Sequence, residues 1–431
     1  MSHMSSMLLK SVRPYFRGEC TSDEVVDILI EDGVVARIGR DLAAPVGIPV
    51  CDGSGKLALP GLVEAHTHLG YSFLGLPWFR NDVGPNLADK INAEKAEVKK
   101  RKIDFQVQAE RQLAHSLAYG STFLRGHVAV DTDTGLAPIE GVLRAREKCR
   151  EMIDVQIVAF PQGGLTSRPG TVELMEEALS LGADVVGGLD PAQIDRDPKG
   201  SLDAIFRLAD KHSKPVDIHL HEAGELGGFS TDLIIERTTA LGLEGRVTIS
   251  HAFCLGDLKP ADAARTLEGL ARARISIMTT APSGRACPSV AQLGGAGVNV
   301  CSGSDGVRDT WSPFSNGDML ERALLVAMRN NFRRDADLER ALRACTFGGA
   351  TALEIPGYGI AEGSRADLVI APGETIAEAL MNRPADRTVI KSGRVVAGQA
   401  SGTGDAARPL PREHARGEHS EGLAVASNRR P

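Results

Sequence analysis

The chain has 431 residues, 42% hydrophobic and 24% charged with 47 glycines, a composition that supports a large buried core and excludes a disordered or fibrous protein. Its net charge of −7 supplies no polyanion-binding surface, so nucleic acid is not an expected partner. The apolar runs are strand-length, far short of the roughly 20 residues that cross a bilayer, so no membrane partner is expected either.

Met1–Ser6 lacks the apolar core of a signal peptide. The seven cysteines are scattered, odd in number and contain no C-x-x-C. They read as reduced thiols of a cytoplasmic protein. Up to residue 60 the text is that of short strands and tight turns: Val25 to Ile30 and Val34 to Ile38 flank Asp32-Gly33, a hairpin signal. The same grammar returns at 366–370 and 388–396. Neither end is long enough for its own core, so residues 7–60 and 357–400 are expected to build one β-sandwich domain together.

Between them strands alternate with helices. The candidate strands are 62–68, 122–128, 154–160, 184–189, 215–220, 246–251, 274–279 and 297–301. The candidate helices include 88–119, 171–181, 202–212, 231–241, 260–273 and 317–330. Eight strands over about 300 residues have the rhythm of a (β/α)8 TIM barrel, expected over 61–356. A doubly wound open sheet is the competing α/β architecture. Polar residues collect at the C-terminal ends of many different strands, which favours the barrel. Residues 401–431, rich in Gly, Pro, Arg and Glu without period, read as a flexible tail.

His66 and His68 close the first predicted strand. Two apart in a strand, they present both imidazoles to one side. His219, His221 and Glu222 close the fifth strand, His251 the sixth, and Asp305 follows the eighth in Cys-Ser-Gly-Ser-Asp-Gly. Each alone is a strand cap or a turn residue. Together they place imidazoles and carboxylates on one barrel mouth, where barrel enzymes keep their chemistry. His115 and His212 fall in helical stretches and read as packing or surface residues.

This pattern resembles the amidohydrolase superfamily. The stretches Val155 to Gly164 and Leu181 to Gly188, and Asp305 with Trp311, are more closely similar to its cytosine deaminase-like group. The resemblance, over about residues 10–400, implies a distorted TIM barrel with a β-sandwich from both termini. It also implies one divalent metal ion, Zn or Fe, on His66, His68, His219 and Asp305. No lysine stands at the end of the fourth strand to bridge a second ion, so the site reads as mononuclear. Glu222 matches a proton shuttle and His251 a residue that orients the attacking hydroxide. Asp305 doubles as an acceptor of the water proton. Gln162 and Trp311 match substrate-binding positions. His127 and His221 stay open between supporting the site and serving as structural polar residues.

The departures concern substrate. Gly306 stands where cytosine-selective members carry a second Asp, and Ser304 where they carry His. A side chain at 306 is expected to project toward the ring under attack. The implied partner is a small nitrogen heterocycle, and a homo-oligomer is possible on these residues. Three functions are distinguished by chemistry. They are release of ammonia from an aminopyrimidine or aminotriazine, hydrolysis of another C–N bond such as an N-alkylamine or cyclic amide, and a catalytically silent binding barrel.

Overall fold

Alternating apolar residues at the two ends of the chain pair as their turns dictate. β1 (Met7–Pro14), β2 (Val26–Glu31) and β3 (Val34–Gly39) are antiparallel neighbours. Asp32 and Gly33 both take positive φ, 51° and 78°, in the turn between β2 and β3, whose twist suits a two-residue hairpin. β4 (Val50–Asp52) runs parallel to the first half of β1, and β5 (Leu57–Pro60) parallel to its second half. Between those halves the register shifts and Ser11 takes φ 56°, so one strand serves both parts of the sheet. The structure, a computed structural model, describes residues 6–16, 24–84 and 86–398. The expected tail at 401–431 lies outside the described residues.

The barrel strands are β6 (Leu62–His68), β7 (Ser121–Ala129), β8 (Asp154–Phe160), β9 (Val185–Leu189), β10 (Val216–His219), β11 (Val247–Ser250), β12 (Ser276–Thr279) and β13 (Val300–Ser302). All pair in parallel and in chain order. Leu124, Ile157, Val186, Ile218, Ile249 and Ile277, one from each of six consecutive strands, are fully buried in a single apolar cluster beneath the helices. Between β13 and β6 the ring is closed by an isolated parallel bridge, Thr67 to Asp305. There the Asp305 N–H donates to His66 O at 2.9 Å and the His68 N–H to Asp305 O at 3.3 Å. The sheet is therefore a nearly closed barrel and not an open one.

The single helix expected over 88–119 is two, α1 (Leu87–Arg101) and α2 (Phe105–Ala118). Lys102 ends the first at φ 50°, and Asp104 starts the second by accepting the Val107 N–H on its side chain. Around the barrel follow α3 (Ala137–Cys149), which the apolar pattern did not single out, α4 (Thr171–Leu181), α5 (Pro198–His212), α6 (Gly224–Ala240), α7 (Pro260–Arg272) and α8 (Val290–Gly295). After β13 come α9 (Met319–Arg329), α10 (Asp335–Ala344) and α11 (Phe347–Ala352). The chain then returns to the terminal sheet through β14 (Leu368–Ala371), α12 (Ile376–Asn382), β15 (Thr388–Lys391) and β16 (Arg394–Ala397). β14 pairs antiparallel with β5, which joins the two ends of the sequence in one eight-stranded sheet. Among the described residues no helix is long and apolar enough to cross a membrane.

A buried ion pair fastens that sheet to the barrel. Arg387, just before β15, grips both oxygens of Asp318 at 2.7 and 2.8 Å and donates to Tyr119 O. Asp318 in turn caps α9 through the Leu320 N–H. Removing one member of a buried pair strands the other charge without water. Arg387→Ala is expected to cost about 3–5 kcal/mol of stability, read as a fall in the urea midpoint. A loss below about 1 kcal/mol would place the pair among ordinary surface contacts.

Candidate active site

Five strand ends bring the predicted residues to one mouth. Ligand atoms of His66, His219, His251 and Asp305 all lie within 4.8 Å of one another. His68 reaches Asp305 Oδ1 through Nε2 at 3.1 Å, and His66 Nε2 approaches the same oxygen at 3.5 Å. His66 Nε2 and both ring nitrogens of His219 and His251 are buried without a hydrogen-bond partner. Burial, helped by the neighbouring rings, holds the imidazoles of His127, His219 and His251 well below their usual range, so each is a neutral base. Burial works the other way on Asp305, but the His68 contact and the surrounding imidazoles outweigh it and hold its carboxyl well below the usual carboxylate range. Neutral imidazoles with unpaired nitrogens beside one carboxylate fit a divalent cation of the zinc or iron type.

The backbone is strained where these side chains are presented. His251 and Ala252 take φ 73° and 45°, and Asp305 takes 62°. The Thr67 hydroxyl donates to Asp305 O at 2.7 Å, and Gln112 holds that hydroxyl from α2 at 2.8 Å. Gly303 passes so close to β6 that a Cβ would stand 2.4 Å from His66 O, which only glycine permits. Ser304, where a histidine was the family expectation, donates its N–H to the buried Glu64 at 2.8 Å. Burial pushes the Glu64 carboxyl up to about 7.

Behind His66 runs a polar chain that the sequence pattern did not reveal. Ser250 Oγ donates to Asp217 Oδ1 at 2.6 Å, so it must accept from His66 Nδ1, 3.0 Å away. That places the His66 proton on Nδ1 and leaves the Nε2 lone pair facing the cluster. Asp217 is fixed by Arg125 Nη1 at 2.9 Å. The ring of His127, left open by the sequence, lies tilted with its centroid 4.0 Å from that of His66 and shares this interior with Asp217.

Glu222 stands in a neighbouring wall, outside the four-residue group. Its Oε1 accepts the Ala192 and Gln193 N–H groups at 2.7 and 2.8 Å, and its Oε2 accepts Ser230 Oγ. Burial raises its carboxyl despite these donors. His221 stacks on His251 at 4.5 Å and pairs through Nδ1 with buried Asp190 at 2.8 Å. On another side Gln162 Nε2 and Trp311 Nε1 both donate to Glu94 of α1, at 2.7 and 2.6 Å. Glu94 sits in a charged run of α1, and only the fold brings it, buried, to this wall. Gly306 is not at positive φ, and its side-chain space is filled: a Cβ there would lie 1.7 Å from Asp309 Oδ2. Asp309 is buried, and burial pushes its carboxyl up to about 7.

Residues 50–397 match the model of an amidohydrolase family. The chain belongs to that family. It is a hydrolase of carbon–nitrogen bonds, similar to the cytosine deaminase-like group. It is 32% identical over 386 residues to N-isopropylammelide isopropyl amidohydrolase of Pseudomonas sp. (strain ADP), covering 87% of this chain and 94% of that protein. The solved N-isopropylammelide isopropylaminohydrolase of Burkholderia multivorans ATCC 17616 superposes with a TM-score of 0.88 at 44% identity, covering 93% and 100%. The 5-methylcytosine deaminase of Klebsiella pneumoniae, liganded with 5-fluorocytosine, gives 0.78 at 28% identity, covering 91% and 98%.

In this amidohydrolase the Ser250 link has a measurable consequence. Ser250→Ala leaves the His66 Nδ1–H without its acceptor and frees the ring to turn. Zinc affinity, measured by competition with a chelator, is expected to fall roughly 10–100-fold with little change in fold. Unchanged affinity would mean that packing alone orients His66.

Proposed function

We propose that this chain hydrolyses the exocyclic C–N bond of a hydroxylated nitrogen heterocycle, releasing an alkylamine from an N-alkylamino triazine. The observation that carries the proposal is the group of buried His66, His219 and His251 with half-buried Asp305, unpaired imidazole nitrogens facing one carboxylate. The leaving group follows from the 44% identical relative, whose name is that of an isopropylaminohydrolase. Reading the sequence alone put ammonia first. That remains the second reading, supported by the likeness to a 5-methylcytosine deaminase.

His66, His68, His219 and Asp305 would hold one divalent ion, zinc or iron. When bound, such an ion supplies Lewis acidity and makes a water nucleophilic near neutral pH. The remaining steps belong to side chains. A carboxylate has about four acceptor positions, and three of those on Glu222 are taken by Ala192, Gln193 and Ser230. The fourth, on Oε2, is left to receive a proton and pass it to a ring nitrogen or to the departing amine. Its raised affinity for protons suits that exchange near neutral pH. His251, a neutral imidazole on a strained strand end, orients the attacking oxygen by accepting its hydrogen bond. Asp305 accepts the water proton in the first step. Gln162 has one N–H committed to Glu94 and turns its carbonyl oxygen to the substrate. Trp311, with its indole N–H committed to the same carboxylate, offers a ring face to a flat heterocycle.

The test is a screen of zinc- and iron-loaded protein against N-isopropylammelide, aminotriazines and aminopyrimidines, with isopropylamine and ammonia measured together. Isopropylamine without ammonia supports the first reading, and ammonia from an aminopyrimidine supports the second. Neither product with any compound would remove both. Glu222→Gln is expected to keep its metal and lose about 10²–10⁴ in kcat. Loss of metal in that variant would make Glu222 a ligand instead of a proton carrier.

A further inference from the structure

Among the described residues, Asp309 is a buried residue near the cluster whose carboxyl keeps one oxygen without a hydrogen-bond donor. Asp309 Oδ1 accepts the Trp311 N–H at 2.8 Å and the Ser312 N–H at 3.4 Å. Asp309 Oδ2 accepts no hydrogen bond from any described residue, although the side chain is only 8% exposed. A carboxylate oxygen held that way, on a side chain fixed through its other oxygen, keeps its acceptor positions for a donor on a ligand.

Its position is fixed by its surroundings. Oδ2 lies where the side chain of Gly306 would begin, directly beside Asp305. The Asp309 carboxyl shares its neighbourhood with His68 and Glu94. The loop that carries it is laced to the segment after β6. Phe73 N–H donates to Arg308 O at 2.8 Å, Asn81 Nδ2 to Thr310 O at 3.1 Å, and Arg308 covers the Trp78 ring. With Trp311 Nε1 bound to Glu94 and Glu94 bound to Gln162, the whole wall is held in one arrangement. Two of its acceptors, Gln162 Oε1 and Asp309 Oδ2, receive no hydrogen bond from the described residues.

We propose that Asp309 is a specificity-determining residue of this site, its Oδ2 accepting a ring N–H of the heterocycle while Gln162 Oε1 accepts another, and that position 306 is glycine because the Asp309 carboxyl occupies its side-chain space. The proposal rests on the function proposed above and narrows its substrate class. The favoured ligand is a heterocycle in its lactam form, an oxo-triazine or oxo-pyrimidine whose edge carries N–H donors. A ring nitrogen bearing a methyl group has no hydrogen to give Oδ2 and also collides with it. An Asp at 306 would compete for the same volume and is not a route to cytosine preference in this chain.

Two substitutions perturb the contact from opposite sides. Asp309→Asn keeps an acceptor for the Trp311 N–H and replaces the Oδ2 acceptor by a donor. Gly306→Ala leaves the carboxyl intact and pushes it aside, with no positive φ to strain the backbone. Zinc-loaded wild type and both variants, matched for metal content and thermal midpoint, are assayed on N-isopropylammelide and its ring-N-methyl derivative. Wild type is expected to prefer the N–H compound, and each variant to lose roughly 10–100-fold of that preference, mainly through KM. A merely structural role would lower both rates alike and leave the ratio unchanged. If Asp309→Asn does not fold, Gly306→Ala still reads the same contact. Turnover with an unaltered ratio in the folded variants overturns the inference and leaves the function standing. A wild type that turns over neither compound, nor any heterocycle of the wider screen, removes the function and this inference with it.

Discussion

A guanidinium with almost no access to water stands inside the barrel, and the candidate site depends on how it is satisfied. Arg125 on β7 is 1% exposed, and its donors reach Gln156 on β8, Asp217 on β10, Thr248 on β11 and the Ala352 carbonyl at the end of α11. A buried charge persists only when paired and fully hydrogen-bonded. Here the pairing carboxylate is also the one that fixes Ser250 and, through it, His66. The polar interior therefore links the packing of the strands to the tautomer of a ring at the mouth. Side chains from β6, β7, β10 and β11 must be in register before His66 can present Nε2.

Closure of the barrel imposes the second constraint. β6 and β13 are joined by one bridge, and its residues are Thr67, between two candidate ligands, and Asp305, a third. The seam is thus made by the site itself. Gly303 allows the close approach, Glu64 takes the Ser304 N–H, and Thr67 with Gln112 holds the Asp305 carbonyl. The left-handed backbone at Asp305, His251 and Ala252 costs of order 1–3 kcal/mol at each residue. That cost is tolerated because the surrounding hydrogen bonds allow no relaxed alternative. The stability of the ring and the placement of the carboxylate are one property.

What the sequence revealed follows from how local its signals are. His66 and His68 sit in register by the two-residue period of a strand. Strand ends at His219, His251 and Asp305 were legible because apolar runs stop there, and the observed strands fall within one to three residues of the expected limits. The break at Lys102 was hidden, since charged residues on both sides carry helical propensity and only the αL turn and the Asp104 cap separate the helices. Asp217 and Ser250 looked like alternating strand residues. Their roles depend on partners 33 and 184 positions away, which no periodicity encodes. Glu94 and Asp309 were missed for the same reason: both lie in polar segments, and their burial comes from two loops that close on each other.

The division of labour between those loops bears on how such a site can change substrate. The imidazoles and Asp305 are fixed by the strands and by the interior chain from Arg125. Glu222 is anchored by backbone donors at Ala192 and Gln193 in the loop after β9. The wall of Glu94, Gln162, Asp309 and Trp311 is instead tied together by its own side chains, across the segment after β6, the end of β8 and the loop after β13. Under the proposed function, a change in that wall would alter which heterocycle edge is read without reaching the Ser250 and Asp217 links that orient His66. The converse does not hold, because Asp305 and Gly306 are consecutive. Any side chain at 306 meets the Asp309 carboxyl next to the strained turn that carries Asp305, so under the proposed function substrate recognition and the ligand carboxylate meet at that one peptide.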